Sequence, residues 1–155
     1  MDQEQLKQIV HYDPDTGVFT WLNSTSPRAQ AGRKAGHLGN GYKYISIGGK
    51  RYKAARLAFL YMTGNWPVDH VDHINRNKLD DRWDNLREAT PSQNAANRGG
   101  WGNLPKGVIP HGRKFRVFCG PVGSNRHLGL FETIEQASEA YERKAKELYG
   151  EFATI

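Results

Sequence analysis

Residues 72–97 contain the feature that most constrains this chain, an ordered series of acid, imidazole and carboxamide side chains. Asp72 and His73 open the series, Asn85 follows twelve residues after His73, and Asn94 comes nine residues after Asn85. Single Asn and Asp residues most often form turns. Four polar positions in this order favour one functional site over four unrelated turns.

The sequence around this series predicts two short strands followed by a helix. A loop rich in Asn, Asp, Lys and Arg separates Asp72-His73 from the segment NLREAT, which can form a strand. Thr90 is then expected to cap a helix, with Pro91 as its first residue and Gln93 as the capping-box partner. This combination suits hydrolysis of a phosphodiester with one divalent metal ion. Carboxylate and amide oxygens are hard ligands, and a neutral histidine is a natural base for the attacking water.

The stretch resembles the HNH nuclease motif, of the His-Asn-Asn kind found in phage-encoded homing endonucleases. The resemblance rests on the two spacings and on the sequence NLREATPSQN. It implies that Asp72 and Asn94 bind one magnesium or manganese ion. It further implies that His73 takes the proton of the attacking water and that Asn85 orients His73 or its loop. The residues expected to support this site are His70, Asn97 and Arg56.

Two features depart from the family pattern. The helix before the motif commonly opens with His-Arg in such endonucleases, whereas this chain has Ala55-Arg56. The loop of the motif often carries Asn in the family, whereas this chain has Asp80 and Asp81. We expect these two acids to form a turn rather than to bind the metal.

The distribution of charge predicts double-stranded DNA as the partner. The net charge is +6, and residues 28–56 and 98–131 contain eight and six Lys or Arg, respectively, with no Asp or Glu. Cationic segments neutralise phosphates and gain affinity from the release of counterions. The residues expected to bind DNA are Arg33, Lys34, Lys43, Lys50, Arg51, Lys53, Arg113, Lys114, Arg116, Arg126 and His127.

The last fifty residues predict three strands and one amphipathic helix. Residues 113–119 alternate, with Lys114 and Arg116 on one face. A further strand is expected over residues 126–131, and Thr133 is expected to cap the helix. The exposed face of such a sheet can enter the major groove of DNA, where Arg and Lys read guanine edges.

This C-terminal segment resembles the plant ethylene-response-factor (Apetala-type) DNA-binding domain, which also occurs fused to phage HNH nucleases. The matching residues are Gly107-Val108, Leu128-Gly129-Leu130-Phe131, Thr133, Glu135-Gln136-Ala137, Ala140-Tyr141, Ala145 and Tyr149-Gly150-Glu151-Phe152-Ala153. Ile109 stands where the plant domains use a base-reading Arg, and His127 stands where they often have Trp. The DNA sequence that the plant domains recognise therefore does not carry over.

The predicted fold is α+β, with a small ββα-metal nuclease module followed by a three-stranded antiparallel sheet and one helix. Residues 1–98 form the nuclease module, with an N-terminal helix and hairpin region at 1–64 and the ββα-metal core at 65–98. Within the first region we expect a β-hairpin over residues 42–53 that turns at Gly48-Gly49, and then a helix that ends at Gly64. Residues 23–41 are expected to be a loop. A linker over 99–106 contains Trp101, either an anchor on the core or a wedge in DNA. Residues 107–155 form the DNA-binding domain.

Composition limits the setting of the protein. The single cysteine, Cys119, excludes an internal disulfide framework. Neither a signal peptide nor a membrane span is visible. We therefore expect a cytoplasmic protein, in a bacterial or phage-infected cell, that acts as a monomer rather than a dimer. The alternative functions are a DNA-binding regulator without cleavage activity and an RNA nuclease.

Overall fold

The computed structural model describes residues 1–100 and 102–154. The chain divides into two units, Met1–Glu88 and Ala89–Ile155. The first unit combines several small sheets with two helices, and the second combines one small sheet with two helices, so the predicted α+β class is confirmed. The predicted domain limits stay a prediction, and Trp101 lies outside the described residues.

The first unit contains two helices and three small sheets. Antiparallel pairing joins β1 to β2, and joins the next three strands in the order β3-β4-β5. β6 pairs with β7, whose last residue already belongs to the second unit. The elements are α1 (Gln3–Ile9), β1 (Val10–Asp13), β2 (Val18–Trp21), β3 (His37–Gly39), β4 (Tyr42–Ile47), β5 (Lys50–Lys53), α2 (Ala54–Thr63), β6 (His70–His73), a 3₁₀ turn (Trp83–Asn85) and β7 (Leu86–Ala89).

The segment expected to be a loop, residues 23–41, is partly ordered into a sheet, so that prediction was wrong for its last part. His37 pairs with Tyr44, and Leu38 pairs with Lys43, so that β3 adds a third strand to the predicted hairpin. The buried side chains of Ala29 and Ala35 attach the rest of the segment to the core. The partner strand follows at once, because Asn40 and Gly41, both with positive φ, form a two-residue turn between β3 and β4.

The core of the first unit lies between α1, α2 and the two N-terminal sheets. Its most deeply buried apolar side chains are Leu6, Val10, Tyr12, Phe19, Ile45, Leu57 and Leu60. Burial of each aliphatic or Phe side chain contributes about 1.5–3 kcal/mol. Gly64, with a positive φ, ends α2 as the sequence predicts. The segment 74–82, hereafter the 74–82 loop, connects β6 to the 3₁₀ turn.

The second unit contains a short helix and a three-stranded sheet covered by a long helix. The elements are α3 (Pro91–Ala96), β8 (Val108–His111), β9 (Lys114–Cys119), β10 (Arg126–Phe131) and α4 (Ile134–Tyr149), followed by a 3₁₀ turn (Gly150–Phe152). The strands are antiparallel in the order β10-β9-β8. Val117 and Cys119 of β9 pack against Ala137 and Tyr141 of α4, as the predicted alternation requires. The other face of β9 carries Lys114 and Arg116.

Helix caps fix the beginning of both helices in the second unit. The Thr90 side chain accepts a hydrogen bond from the backbone of Gln93, whose side chain accepts one from the Thr90 backbone. The Thr133 hydroxyl likewise accepts one from the backbone of Gln136. Both N-caps were predicted from the sequence. No helix within the described residues combines the length and the apolar character needed to cross a membrane.

Candidate active site

Among residues 1–88, all of which the structure describes, four polar or charged side chains are buried. They are Asp72, His73, Asp81 and Asn85. Three of them belong to the sequence-predicted site, and Asp81 is the addition. His73 is 5% exposed and Asp81 is 2% exposed. The Nε2 atom of His73 lies 3.1 Å from Oδ1 of Asp81.

The hairpin of β1 and β2, hereafter the N-terminal hairpin, holds the backbone of Asp81 in place. The Tyr12 hydroxyl donates a 2.7 Å hydrogen bond to the backbone carbonyl of Asp81. Gly17 packs so closely that a Cβ there would lie 2.4 Å from the Asp81 carbonyl carbon, and its φ is +67°. Only glycine fits this close approach in that conformation. Burial, together with the charge of Asp81, raises the pKa of Tyr12 above its ordinary value.

A lysine faces the other oxygen of the Asp81 carboxylate. Lys43 Nζ lies 3.5 Å from Asp81 Oδ2, and the lysine side chain is 24% exposed. Within the described residues, Asp81 Oδ2 is buried and makes no hydrogen bond. The ammonium therefore offsets the carboxylate by its charge.

Asp72, beside His73 on β6, is paired with a cation on the neighbouring strand. Arg87 of β7 donates from Nε to Asp72 Oδ2 over 3.0 Å, and both side chains are largely buried. A buried carboxylate needs such compensation, because an unpaired buried charge is costly. The Arg87 guanidinium thereby fixes the orientation of the Asp72 carboxylate.

Asn85 joins the two ends of the 74–82 loop. Its Oδ1 accepts a hydrogen bond from the backbone N–H of Asn75 over 2.9 Å. Its Nδ2 donates to the backbone carbonyl of Asp80 over 2.7 Å. The backbone carbonyl of Asn85 also accepts from the N–H of Ile74. These three contacts close the loop directly behind His73.

Asp80 and Asp81 are adjacent in sequence and differ in role. Asp80 accepts hydrogen bonds from the side chains of Arg82 and Asn75, which together hold the pKa of its carboxyl well below the usual range. Asp80 is thus the turn-forming acid that the sequence predicts. For Asp81 that expectation was wrong, because its side chain points inward to His73 rather than to its own turn.

The supporting residues of the predicted site have identifiable contacts. Arg56 donates to the backbone carbonyls of Pro67 and Asp69, and so braces the approach to β6. His70 is the exposed first residue of β6. In the second unit, Asn97 follows α3 and is buried, and its Oδ1 accepts a 2.6 Å hydrogen bond from Thr154.

Asn94 lies on α3 and is partly buried. Because Asn94 belongs to the second unit and Asp72 to the first, their pairing around one metal ion stays a prediction. Within the described residues, no group of three or more His, Cys, Asp or Glu side chains is arranged to hold a metal ion. The predicted ligand set, one carboxylate and one carboxamide, is smaller than such a group.

Cationic side chains of the first unit gather around Tyr42, close to His73. Lys53 Nζ lies 3.9 Å and Lys78 Nζ 5.0 Å from the centroid of the Tyr42 ring. The centroids of the Tyr42 and His73 rings are 6.3 Å apart. Tyr42 and Lys78 were not among the predicted DNA-binding residues. The exposed residues of the predicted set in this unit are Arg33, Lys34, Lys50 and Arg51.

In the second unit the predicted DNA-binding residues lie on the sheet and its turns. Arg113, Lys114, Arg126 and His127 are exposed, and Arg116 is partly buried. Lys114 forms an exposed ion pair with Glu132, with N and O 2.6 Å apart. Arg116 Nη2 lies 3.0 Å from the His111 ring.

Comparison with known proteins identifies the region that contains this site. Residues 52–96, which include His73, Asn85 and Asn94, match the family described as HNH endonuclease. A relative from Acanthamoeba polyphaga mimivirus, named as an uncharacterized HNH endonuclease, is 38% identical over 96 residues. The match covers 61% of this chain and 51% of that relative, so it spans about half of the relative's length. No solved structure matches the chain significantly.

The resemblance of the C-terminal segment to the Apetala-type domain stays a prediction. The resemblance of the motif around His73 to HNH endonucleases is confirmed, whereas its phage and homing character stays a prediction. Residues 52–96 of this chain form a segment similar to HNH endonucleases.

Proposed function

We propose that this chain is a metal-dependent DNA endonuclease that hydrolyses a phosphodiester, acting as a site-directed, homing-type nicking enzyme. The observation that carries the proposal is the buried imidazole of His73, held by a carboxylate and placed next to Asp72. This arrangement lies within the segment similar to HNH endonucleases. An oriented histidine beside a hard oxygen ligand suits metal-assisted hydrolysis of a phosphodiester.

The residues of the chain divide the reaction among them. The imidazole of His73 accepts a proton from the attacking water, whose oxygen bonds to phosphorus while the bond to the 3′ oxygen breaks. Asn85 keeps the 74–82 loop closed, and this holds the His73 imidazole in position to accept the proton of the attacking water. Such positioning matters because small displacements of a reacting group lower rates strongly.

The donor set fits a hard divalent cation. Asp72 would offer a carboxylate oxygen and Asn94 a carboxamide oxygen, and both suit magnesium or manganese. When bound, the ion would neutralise charge that develops on the phosphate and on the leaving oxygen. Arg87 already fixes the Asp72 carboxylate, which favours a single orientation of this ligand.

Lysines near His73 supply contacts to the DNA backbone. Lys53 and Lys78 flank the Tyr42 ring, which lies beside the His73 ring. A substrate phosphate there would meet at least two ammonium groups. The other predicted basic residues of this unit would bind phosphates farther from the bond that is cut.

The second unit is proposed to read DNA sequence. Its sheet carries Arg116 on the face opposite α4, with Lys114 and Arg113 close by at the turn between β8 and β9. Strands can enter the major groove, where Arg and Lys contact guanine. With one proposed active centre per chain, a monomer would nick one strand of a duplex.

The deciding experiment compares wild type with His73→Ala on supercoiled plasmid in the presence of magnesium. Wild type should convert the plasmid to the nicked circle. Loss of a general base lowers the rate by about 10²- to 10⁴-fold, so His73→Ala should be nearly inactive. His11→Ala removes an exposed histidine of β1 and serves as the matched control, with wild-type activity expected.

Plasmid left intact by wild type and His73→Ala alike, across pH and divalent metals, would overturn the proposal. Retarded migration of the uncut plasmid would then identify the chain as a DNA-binding regulator. Cutting of single-stranded or duplex RNA in preference to DNA would also contradict it.

A further inference from the structure

We propose that Asp81 is a positioning residue that keeps the proton of His73 on Nε2, so that Nδ1 is the nitrogen that accepts the proton of the attacking water. The inference rests on the proposed function for its catalytic consequence. The position of the proton on the buried His73 imidazole is a property of the protein alone and can be measured without DNA.

The contact between His73 and Asp81 determines which nitrogen of the imidazole carries a proton. His73 Nε2 lies 3.1 Å from Asp81 Oδ1, and both side chains are at least nine-tenths buried. An ionised carboxylate can only accept hydrogen bonds, so the nitrogen facing it must carry a proton. In a neutral imidazole the other nitrogen, Nδ1, then holds the lone pair.

Asp81 has little freedom to turn away from His73. Tyr12 holds its backbone carbonyl from one side, and Gly17 packs against the same peptide unit. These anchors come from the N-terminal hairpin, which is far from the motif in sequence. The carboxylate is therefore fixed by the core of the unit and not by the 74–82 loop alone.

Lys43 determines how an amide side chain would be oriented at position 81. Lys43 Nζ lies 3.5 Å from Asp81 Oδ2, and an ammonium can only donate. In Asp81→Asn the amide oxygen should therefore face Lys43 and the amide NH₂ should face His73. A donor at that place forces the imidazole to accept at Nε2, which moves the proton to Nδ1 and blocks the base.

The test reads the tautomer directly by ¹⁵N NMR of the histidine side chains, with the His73 signals assigned by their loss in His73→Ala. Wild type should show the proton on Nε2 of His73, and Asp81→Asn should show it on Nδ1. In single-turnover cleavage of plasmid, Asp81→Asn should lose about 10²- to 10⁴-fold in rate with little change in the affinity for DNA.

A second variant distinguishes positioning from a general loss of structure. With Lys43→Met in the background, the amide of Asp81→Asn is free to turn its oxygen to His73 and restore the Nε2 proton. The rate lost through Asp81→Asn should therefore be at least tenfold smaller in Lys43→Met than in the otherwise wild-type chain. Asp84→Asn, at an exposed acid of the 3₁₀ turn, is the matched control and should change neither tautomer nor rate.

A wild-type spectrum with the His73 proton on Nδ1 would overturn the proposal, whether or not any variant folds. A full cleavage rate in Asp81→Asn, or an equal loss of rate in both backgrounds, would overturn the positioning role as well. A chain with the proton on Nε2 that cuts no DNA would contradict the proposed function while supporting the assigned proton.

Discussion

Replacing Asn85 by Ala tests whether closure of the 74–82 loop is what holds the site together. The substitution removes two hydrogen bonds, one from the Asn75 N–H and one to the Asp80 carbonyl. Each bond contributes about 0.5–1.5 kcal/mol net, so the expected loss is about 1–3 kcal/mol in the free energy of unfolding. Cleavage should fall further than this loss of stability explains, because the loop directly follows His73.

The free energy of unfolding is measured by urea denaturation monitored through tryptophan fluorescence. Plasmid cleavage is measured under conditions in which each variant is fully folded. Asn85→Asp keeps an acceptor for Asn75 but places a carboxylate oxygen against the Asp80 carbonyl, so it should not rescue the variant. Asn23→Ala is the control, since its side chain makes one exposed bond to Gln8, and a change within about 0.5 kcal/mol is expected. Wild-type stability and wild-type cleavage in Asn85→Ala would show that the 74–82 loop does not depend on these two hydrogen bonds.

Three further outcomes are expected. Tyr12→Phe leaves the buried carbonyl of Asp81 without its 2.7 Å hydrogen bond and should lower the free energy of unfolding by about 1–3 kcal/mol. Tyr61→Phe, in the same aromatic cluster, should lower it less, and equal losses would contradict this role of Tyr12. Because its hydrogen bonds lower the pKa of Asp80 in the folded state, their stabilisation is present above about pH 4 and is lost as the pH falls. The stability difference between wild type and Asp80→Asn should therefore shrink in acid urea titrations, and a constant difference would count against it. Affinity for DNA, measured by fluorescence anisotropy, should fall by about 10³- to 10⁵-fold between 50 and 200 mM salt if six to ten phosphates are neutralised, and a flat salt dependence would exclude that mode of binding.

Local patterns predicted the elements whose cause is local. The capping residues Thr90 and Thr133, the hairpin of β4 and β5, and the alternation along β9 all appear where the sequence places them. Each depends on contacts within a few residues, so the sequence contains the whole cause.

The difference between Asp80 and Asp81 depends on contacts between distant segments. Asp80 and Asp81 have the same side chain and the same turn chemistry, and no local rule separates them. The distinction comes from Tyr12 and Gly17, more than sixty residues earlier, which turn Asp81 toward His73. β3 is different, because it pairs with β4 across the two-residue Asn40-Gly41 turn, and that hairpin signal is present in the local sequence.

Dependence of cleavage on one metal ion held by Asp72 and Asn94 can be measured by titrating plasmid nicking with manganese or magnesium for wild type, Asp72→Ala and Asn94→Ala. We expect no cleavage by wild type in chelator and cleavage that rises and saturates as metal is added. Each variant should show a large loss of cleavage that excess metal only partly restores. Undiminished nicking in chelator, or variants that match wild type throughout the titration, would contradict it.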